Sequence, residues 1–410
     1  MSNRHLNVLR TVVDLPTAPF VEGYVAEFIR RFVARRPSLR LRSDQFGNLL
    51  VRYAPRGRIK AQGRQRPILF AAHMDHPGFI ARRMIDDTRV YAEWRGWVQA
   101  RYFLHEKIAF YSGGEWIPAT IEKVLPYKPR AIAKRFASRR KPSQADVPPK
   151  AILAVSKRPV TAGSPGMWRC RDASIRGRRL HCRASDDLSG VASILCALEE
   201  IDRRGIRCPC YALFTRAEEV GFAGALTAVD GKTIPKNVIV VAVENSKAIA
   251  GVALGDGPVL RVGDKATVFS PAATAYCQVV AEKLAQRDKT FRFQRKLMDG
   301  GTCESTAYCL YGYCATGICL PLVNYHNMDT EARRIAPESI DVRDFLNLVR
   351  WFVALAESPL KLEIDNSQRG LSKRLNSLLR RHRCRLLKTS AAAAVAGRPH
   401  GRPARARQDR

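Results

Sequence analysis

The chain has 410 residues, of which 46% are hydrophobic, and it carries a formal net charge of +33. That length accommodates one large α/β domain and a smaller one around real hydrophobic cores. The absence of any apolar run of about 18 residues argues against a membrane-spanning helix, and Met1-Ser2-Asn3-Arg4-His5 lacks the apolar segment of a secretory signal, so a soluble, cytoplasmic protein without membrane contact is expected.

The eleven cysteines are an odd number scattered through apparent helices and strands, with Cys208-Pro209-Cys210 the single tight pair and no C-x-x-C spacing. Reduced, mostly buried thiols are expected rather than disulfides or a zinc ribbon. The positive charge alone would suggest a polyanion partner. Much of it, however, lies between Lys123 and Arg183 and in the tail from Lys361 onward, without the interleaved aromatics of a base-stacking surface. Contact with nucleic acid is expected to be non-specific if it occurs.

In chain order, the opening segment reads as a helix, a turn and a strand. Val8 to Val13 leads into the turn Asp14 to Pro19, and Val21 to Val33 has helical apolar spacing. Ile68 to Ala72 is a continuous apolar run of the kind buried in a parallel sheet, and it ends at His73. From about Ala81 short runs separated by Gly and Pro turns suggest a small inserted antiparallel β-barrel, and Pro126 to Pro149 reads as a basic, proline-bounded loop. The strand Ala151 to Val155 and the turn Gly163 to Gly166 return the chain to the first domain.

The second half alternates strands and helices. Asp186-Asp187 precedes a helix, where the dipole favours acidic residues, Tyr211 to Thr215 is a strand ending just before Glu218-Glu219, and Val238 to Val243 ends at Glu244. Gly317 to Leu320 leads towards His326, and a helix over Val342 to Ala356 closes the domain; Ala391 to Ala396 and the Arg/Pro/Gly-rich end are low-complexity. The expected architecture is α/β, a mixed central sheet flanked by helices. The expected division is a catalytic domain over 1–82 and 167–360, an inserted barrel over 83–166 and a basic tail over 361–410.

Ligands in open α/β sheets gather beyond the carboxyl ends of the strands, which is where several acid, base and metal-seeking side chains fall here. Imidazole and carboxylate are what borderline divalent ions accept. A two-ion hydrolase needs a bridging carboxylate, ligands capping each ion and a free carboxylate as base. His73-Met74-Asp75, Asp186-Asp187, Glu218-Glu219, Glu244 and His326 supply those parts. Taken singly, each is ordinary: a satisfied histidine, a helix N-terminus, a solvated helix start.

Their order resembles the co-catalytic metallopeptidase clan that includes the M20, M28 and M42 families, and the M42 glutamyl aminopeptidase/TET group most of all. His73-Met74-Asp75 stands where that group has H-M-D, Asp186-Asp187-Leu188-Ser189-Gly190 resembles its D-D-R-x-G, and Ala217-Glu218-Glu219-Val220-Gly221 resembles its E-E-V-G. The long gap between His73 and Asp186 is also the M42 arrangement. An M20 protein carries its extra domain after the third acidic ligand.

The resemblance implies two divalent ions, zinc first, with cobalt or manganese accepted by the same ligands. Asp186 bridges them, His73 and Glu244 complete one, and Glu219 and His326 complete the other. Asp75 accepts the second ring N–H of His73, and Glu218 is the general base. Met298-Asp299-Gly300-Gly301-Thr302 resembles the G-G-T segment that lines the substrate site, and His76 is a weaker candidate there. The chain departs from the pattern at Glu244, where Asp is usual, at Cys303-Glu304, where Asp follows G-G-T, and at His76-Pro77. The implied activity is hydrolysis of N-terminal residues from short peptides by a homo-oligomer. An M20-like deacylase of N-acyl amino acids, prompted by Glu244, and a non-catalytic polyanion binder, prompted by the charge, are the alternatives.

Overall fold

The computed structural model describes residues 2–55, 66–127, 143–358 and 373–383. The chain forms two units, Met1–Lys361 and Leu362–Arg410. In the second, residues 373–383 form a helix with exposed side chains. Most of the expected basic loop (128–142) and the low-complexity end lie outside the described residues. Among the described residues, no helix is long and apolar enough to cross a membrane, and ten cysteines are free thiols.

The apolar runs become the centre of an eight-stranded sheet. Its strands are β1 (Leu39–Ser43), β2 (Leu49–Tyr53), β3 (Ile68–His73), β12 (Cys210–Thr215), β13 (Ile239–Lys247), β14 (Val259–Asp264), β15 (Gln294–Met298) and β16 (Cys314–Leu322), in the spatial order β1-β2-β12-β3-β13-β16-β14-β15. The four central strands β12, β3, β13 and β16 run parallel, while β2 and β14 flank them antiparallel. A parallel sheet is covered on both faces, which explains why every residue of β3 is buried.

Alternate residues of β3 serve the two layers. Leu69 and Ala71 pack with α4 (Ala223–Asp230) and α6 (Glu304–Leu310) through Ala225, Ala228, Ala307 and Tyr308. Phe70 stacks on Phe352 of α7 (Val342–Glu357) at 4.4 Å between ring centroids. Helices α1 (Ser2–Val13), α3 (Leu188–Arg203) and α5 (Pro271–Arg287) pack against α7 or one another in that layer, and α2 (Gly23–Ala34) packs on β1. Two helix starts are capped by side chains: Asp341 accepts from the Arg343 N–H at 2.8 Å, and Ser270 precedes Pro271 at the first turn of α5.

The insertion is a closed barrel of β4 (Gly78–Met84), β5 (Arg89–Arg95), β6 (Lys107–Ser112), β7 (Glu115–Leu125), β8 (Ala151–Ser156) and β9 (Pro165–Trp168), in the order β4-β5-β8-β7-β6-β9. Its strands begin at Gly78 and end at Trp168, a few residues wider than the sequence suggests, because Phe79 and Trp168 point into the barrel and pack together at 5.2 Å. Trp94, Phe103 and Phe110 complete that aromatic core. Gly166 is required there, since a Cβ would stand 2.7 Å from the Phe110 ring. The chain then forms a three-stranded sheet of β10 (Ser174–Arg176), β11 (Arg179–Cys182) and β19 (Glu338–Asp341); β17 (Met328–Asp329) and β18 (Arg334–Ile335) pair separately.

Trp168 is 1% exposed and touches Phe79, Trp94 and Phe103. Trp168→Ala is expected to lower stability by about 3–5 kcal/mol through lost burial and cavity formation, read as a fall in the urea midpoint; a loss under about 1 kcal/mol contradicts this packing.

Candidate metal centre

Strand register brings the ligand-type residues to one edge. His73 ends β3 and aligns with Thr215 at the end of β12, Glu244 lies in parallel β13, and Asp186 is set between β11 and α3. His326 follows β16 on a short turn. His73 Nε2 lies 3.4 Å from Asp186 Oδ1 and 3.6 Å from Glu244 Oε1. His326 Nε2 lies 3.5 Å from Asp186 Oδ2 and 3.2 Å from Glu219 Oε2. Two half-sites therefore share Asp186, one oxygen facing each.

The donor chemistry fits two divalent cations. His73 Nε2, His326 Nε2, Asp186 Oδ1 and Glu219 Oε1 are all buried without a hydrogen-bond partner, a costly state for polar atoms unless something else satisfies them. In each half-site the potential ligand atoms lie within 4.8 Å of one another. Zinc, cobalt and manganese all accept such nitrogen and oxygen ligands.

The outer ring nitrogens are committed. His73 Nδ1 donates to the Asp75 carbonyl at 3.1 Å, and His326 Nδ1 donates to the Trp97 carbonyl at 2.8 Å. A carbonyl only accepts, so each Nδ1 carries hydrogen and each Nε2 is the atom whose occupant, proton or cation, the facing carboxylates determine. Burial lowers the pKa of both rings, but Asp186 and Glu244 beside His73, and Glu219 and Asp186 beside His326, outweigh it and raise both well above the ordinary imidazole range. Burial also pushes Glu244 up to about 8, with the adjacent Asp186 charge adding to it. Asp186 itself is held low by the two histidines despite its burial.

Glu218 is outside both half-sites, although it shares a third grouping with His73 and Glu219. Burial, followed by the nearby carboxylates, raises its pKa well above the usual range. Asp187 and Glu304 are further buried acids near His73, the latter pushed by burial to about 7 with Tyr308 donating to its Oε2 at 3.2 Å.

The loop bearing Glu218 and Glu219 is held by carboxylates. Asp75 accepts the N–H of Glu218 at 2.9 Å and of Glu219 at 3.1 Å, while its Oδ1 stands 3.5 Å from His73 Nδ1. The closer acceptor for that ring N–H is thus the Asp75 backbone carbonyl, because the carboxylate is engaged by the neighbouring turn. Glu22 accepts from the Ala217 N–H at 3.0 Å and from Arg216 Nε at 2.7 Å. Asn48 accepts the Arg216 N–H at 3.2 Å and donates to the Gly224 carbonyl at 3.1 Å. A Cβ on Gly224 would meet the Arg216 N at 2.3 Å, so only glycine lets the loop close.

Glu338 does the same for the other ligands. Its Oε2 accepts from the N–H groups of Ser185 at 2.6 Å and Asp186 at 3.1 Å, and its Oε1 accepts from the His326 N–H at 2.8 Å. His76 is enclosed below the centre, with Nδ1 2.6 Å from the Asp186 carbonyl and Nε2 3.0 Å from Asn327 Oδ1. It therefore supports the Asp186 backbone instead of facing a substrate. Asn327 Nδ2 in turn donates to the Arg183 and Ala336 carbonyls.

Gly300, Gly301 and Thr302 line a cavity of about 130 Å³ at the Glu244 end, with Arg261 and Lys247. Arg261 is 2% exposed; Nη1 donates to Ser246 Oγ at 3.1 Å, and buried Nε has no acceptor. Burial works against its charge, but nearby anionic groups, Glu244 and Asp264 among them, outweigh it and raise its pKa. Cys303 is buried, its N–H donated to Asp264 at 3.1 Å. Sequence reasoning missed Glu338, Asn48, Glu22 and Arg261, none of which lies in a recognisable motif.

The family profile described as M42 glutamyl aminopeptidase matches residues 56–339, more than half of the chain. Solved structures with the same fold include an aminopeptidase from the archaeon Desulfurococcus kamchatkensis, 20% identical, covering 89% of this chain and 98% of that one at a TM-score of 0.67. The Pyrococcus horikoshii TET1 peptidase, which can assemble into a tetrahedron or a large octahedral shell, is 19% identical over 86% of this chain and 99% of its own, at 0.66. A TET aminopeptidase from a marine-sediment Thaumarchaeota archaeon is 18% identical over 89% and 100%, at 0.67.

Glu338→Ala leaves three backbone N–H groups without their acceptor, and its affinity for divalent ions is expected to fall about 10–100-fold. Titration against a competing chelator measures this, with circular dichroism reporting the fold; unchanged affinity in a folded variant overturns the role given to Glu338.

Proposed function

This chain belongs to the M42 glutamyl aminopeptidase family, and on that footing we propose that it is a co-catalytic metallo-aminopeptidase that removes N-terminal residues from short peptides. The observation that carries the mechanism is the pair of half-sites sharing Asp186, with inward-facing ligand atoms that no protein group satisfies. His73 and Glu244 would hold one ion, Glu219 and His326 the other, and Asp186 would bridge. Zinc is the first candidate, with cobalt and manganese as alternatives. When bound, such ions polarise the scissile carbonyl and make water nucleophilic near neutral pH.

The protein's part is positioning and proton transfer. Asp75 and Glu338 hold the loops that carry Glu218, Glu219, Asp186 and His326. The carbonyls of Asp75 and Trp97 orient the two imidazoles. Glu218 takes the proton of the attacking water on a carboxylate oxygen and returns it to the leaving amine nitrogen as the C–N bond breaks.

The cavity at the Glu244 end would receive the first side chain. Arg261 and Lys247 line it and give it positive charge, so acidic first residues are preferred. Metal-loaded protein is expected to release glutamate or aspartate from short peptides faster than leucine. Glu218→Gln should lower kcat by about 10²–10⁴ with ion content retained. Cleavage of N-acyl amino acids without cleavage of free-amine peptides would favour the deacylase alternative instead.

A homo-oligomer is part of the same proposal. Ile85, Trp97 and Leu104, in the barrel insertion, are large apolar side chains 44–53% exposed, and the TET1 relative assembles into shells. Light scattering during size exclusion should report a mass several times 45.9 kDa; a monomer across the working concentration range refutes this part.

A further inference from the structure

The centre has two ends, and each opens into its own cavity. At the Glu244 end lies the cavity of Arg261 and Lys247. At the Glu219 end a second cavity, of about 190 Å³, is lined by Trp94, Arg95, Trp97 and Tyr127 together with Glu219 and Val220. The two share no lining residue. Asp186 stands between them, bracketed by His73 towards Glu244 and by His326 towards Glu219. A peptide whose first side chain enters one end therefore extends its leaving portion towards the other.

Arg95 gives that second cavity a specific demand. Its Nη2 donates to Glu93 Oε2 at 2.6 Å, but the same oxygen also accepts from Arg82 Nη2 at 2.8 Å. Two guanidinium groups sharing one carboxylate leave a net positive charge at the wall. Arg95 Nε is buried and has no acceptor, an expensive state for a charged donor. A carboxylate arriving in the cavity would meet Arg95 at its wall and balance the residual charge. At about 190 Å³ the cavity has room for the residue that follows the scissile bond. Its wall is also fixed to the centre, because the Trp97 carbonyl accepts from His326 Nδ1 at 2.8 Å.

We propose that this cavity is the leaving-group subsite and that Arg95 binds the C-terminal carboxylate of a dipeptide, making free-acid dipeptides the preferred substrates. This rests on the aminopeptidase reading. The experiment compares kcat/KM for glutamyl-alanine, its C-terminal amide and a glutamyl-initiated pentapeptide, using metal-loaded wild type, Arg95→Met and Arg95→Lys, with glutamyl p-nitroanilide as a substrate lacking the carboxylate.

Wild type is expected to favour the free acid over the amide by about tenfold or more, that preference should shrink to within about twofold in Arg95→Met, and Arg95→Lys should restore part of it. Because each preference is a ratio within one protein, an overall loss of activity does not alter its meaning. A wild-type ratio near one, an unchanged ratio in Arg95→Met, or a faster reaction on the pentapeptide overturns the proposal. If no substrate is turned over, the anilide included, the aminopeptidase reading falls by itself. Calorimetric binding of the dipeptide and its amide then tests the subsite, with equal affinities overturning it.

Discussion

Five backbone N–H groups converge on two carboxylates outside both half-sites: Glu218 and Glu219 donate to Asp75, and Ser185, Asp186 and His326 donate to Glu338. Everything else in the centre depends on this arrangement. Hydrogen bonds to a charged group are worth about 1.5–3 kcal/mol each, while burying an ion costs several kcal/mol. The clamps are therefore affordable only because each carboxylate collects more than one donor. In return, three ligands on segments far apart in sequence are held to distances that side-chain flexibility alone would not maintain.

The turns that carry the ligands need such restraint. Ala217, Phe222, Asn324, His326 and Asn327 all have positive φ without being glycine, each at a cost of about 1–3 kcal/mol when unsupported. Ala217 is held through its N–H by Glu22, and His326 and Asn327 are pinned by Glu338 and by the Asn327 amide. The parallel sheet does the rest. Register between β3, β12 and β13 sets His73, the start of the Glu218 loop and Glu244 along one edge, so the half-sites form from strand ends whose spacing the backbone ladder dictates.

The barrel is more than an appendage to this centre. Its Trp97 carbonyl orients His326, and its β5 supplies Arg95 to the cavity that Glu219 also lines. The aromatic core of Phe79, Trp94, Phe103 and Trp168 makes that wall rigid, and Trp94 contributes both to the core and to the cavity surface. Packing inside the barrel is thus mechanically continuous with the position of a candidate ligand.

Much of the architecture could be read along the chain, because buried parallel strands need continuous apolar runs and their ends fall where those runs stop. Ile68 to Ala72 and Val238 to Val243 announced β3 and β13, and His73, Asp186, Glu218, Glu219, Glu244 and His326 announced themselves as ligand-type residues at or near strand ends. Local pattern could not reveal partners. Glu338 opens the short strand β19 with no motif around it, Asn48 acts on Arg216 from a distant turn, and Arg261 looks like any other arginine in a chain rich in them. His76 shows the converse: adjacency to His73 suggests substrate contact, yet the fold turns its ring under the Asp186 carbonyl. Residue type and order by themselves determined the chemistry available to this protein. Which oxygen meets which N–H, and which arginine Nε is left without an acceptor, was decided only when strand register and loop closure brought distant segments together, since hydrogen bonds depend on ångström distances that sequence separation does not encode.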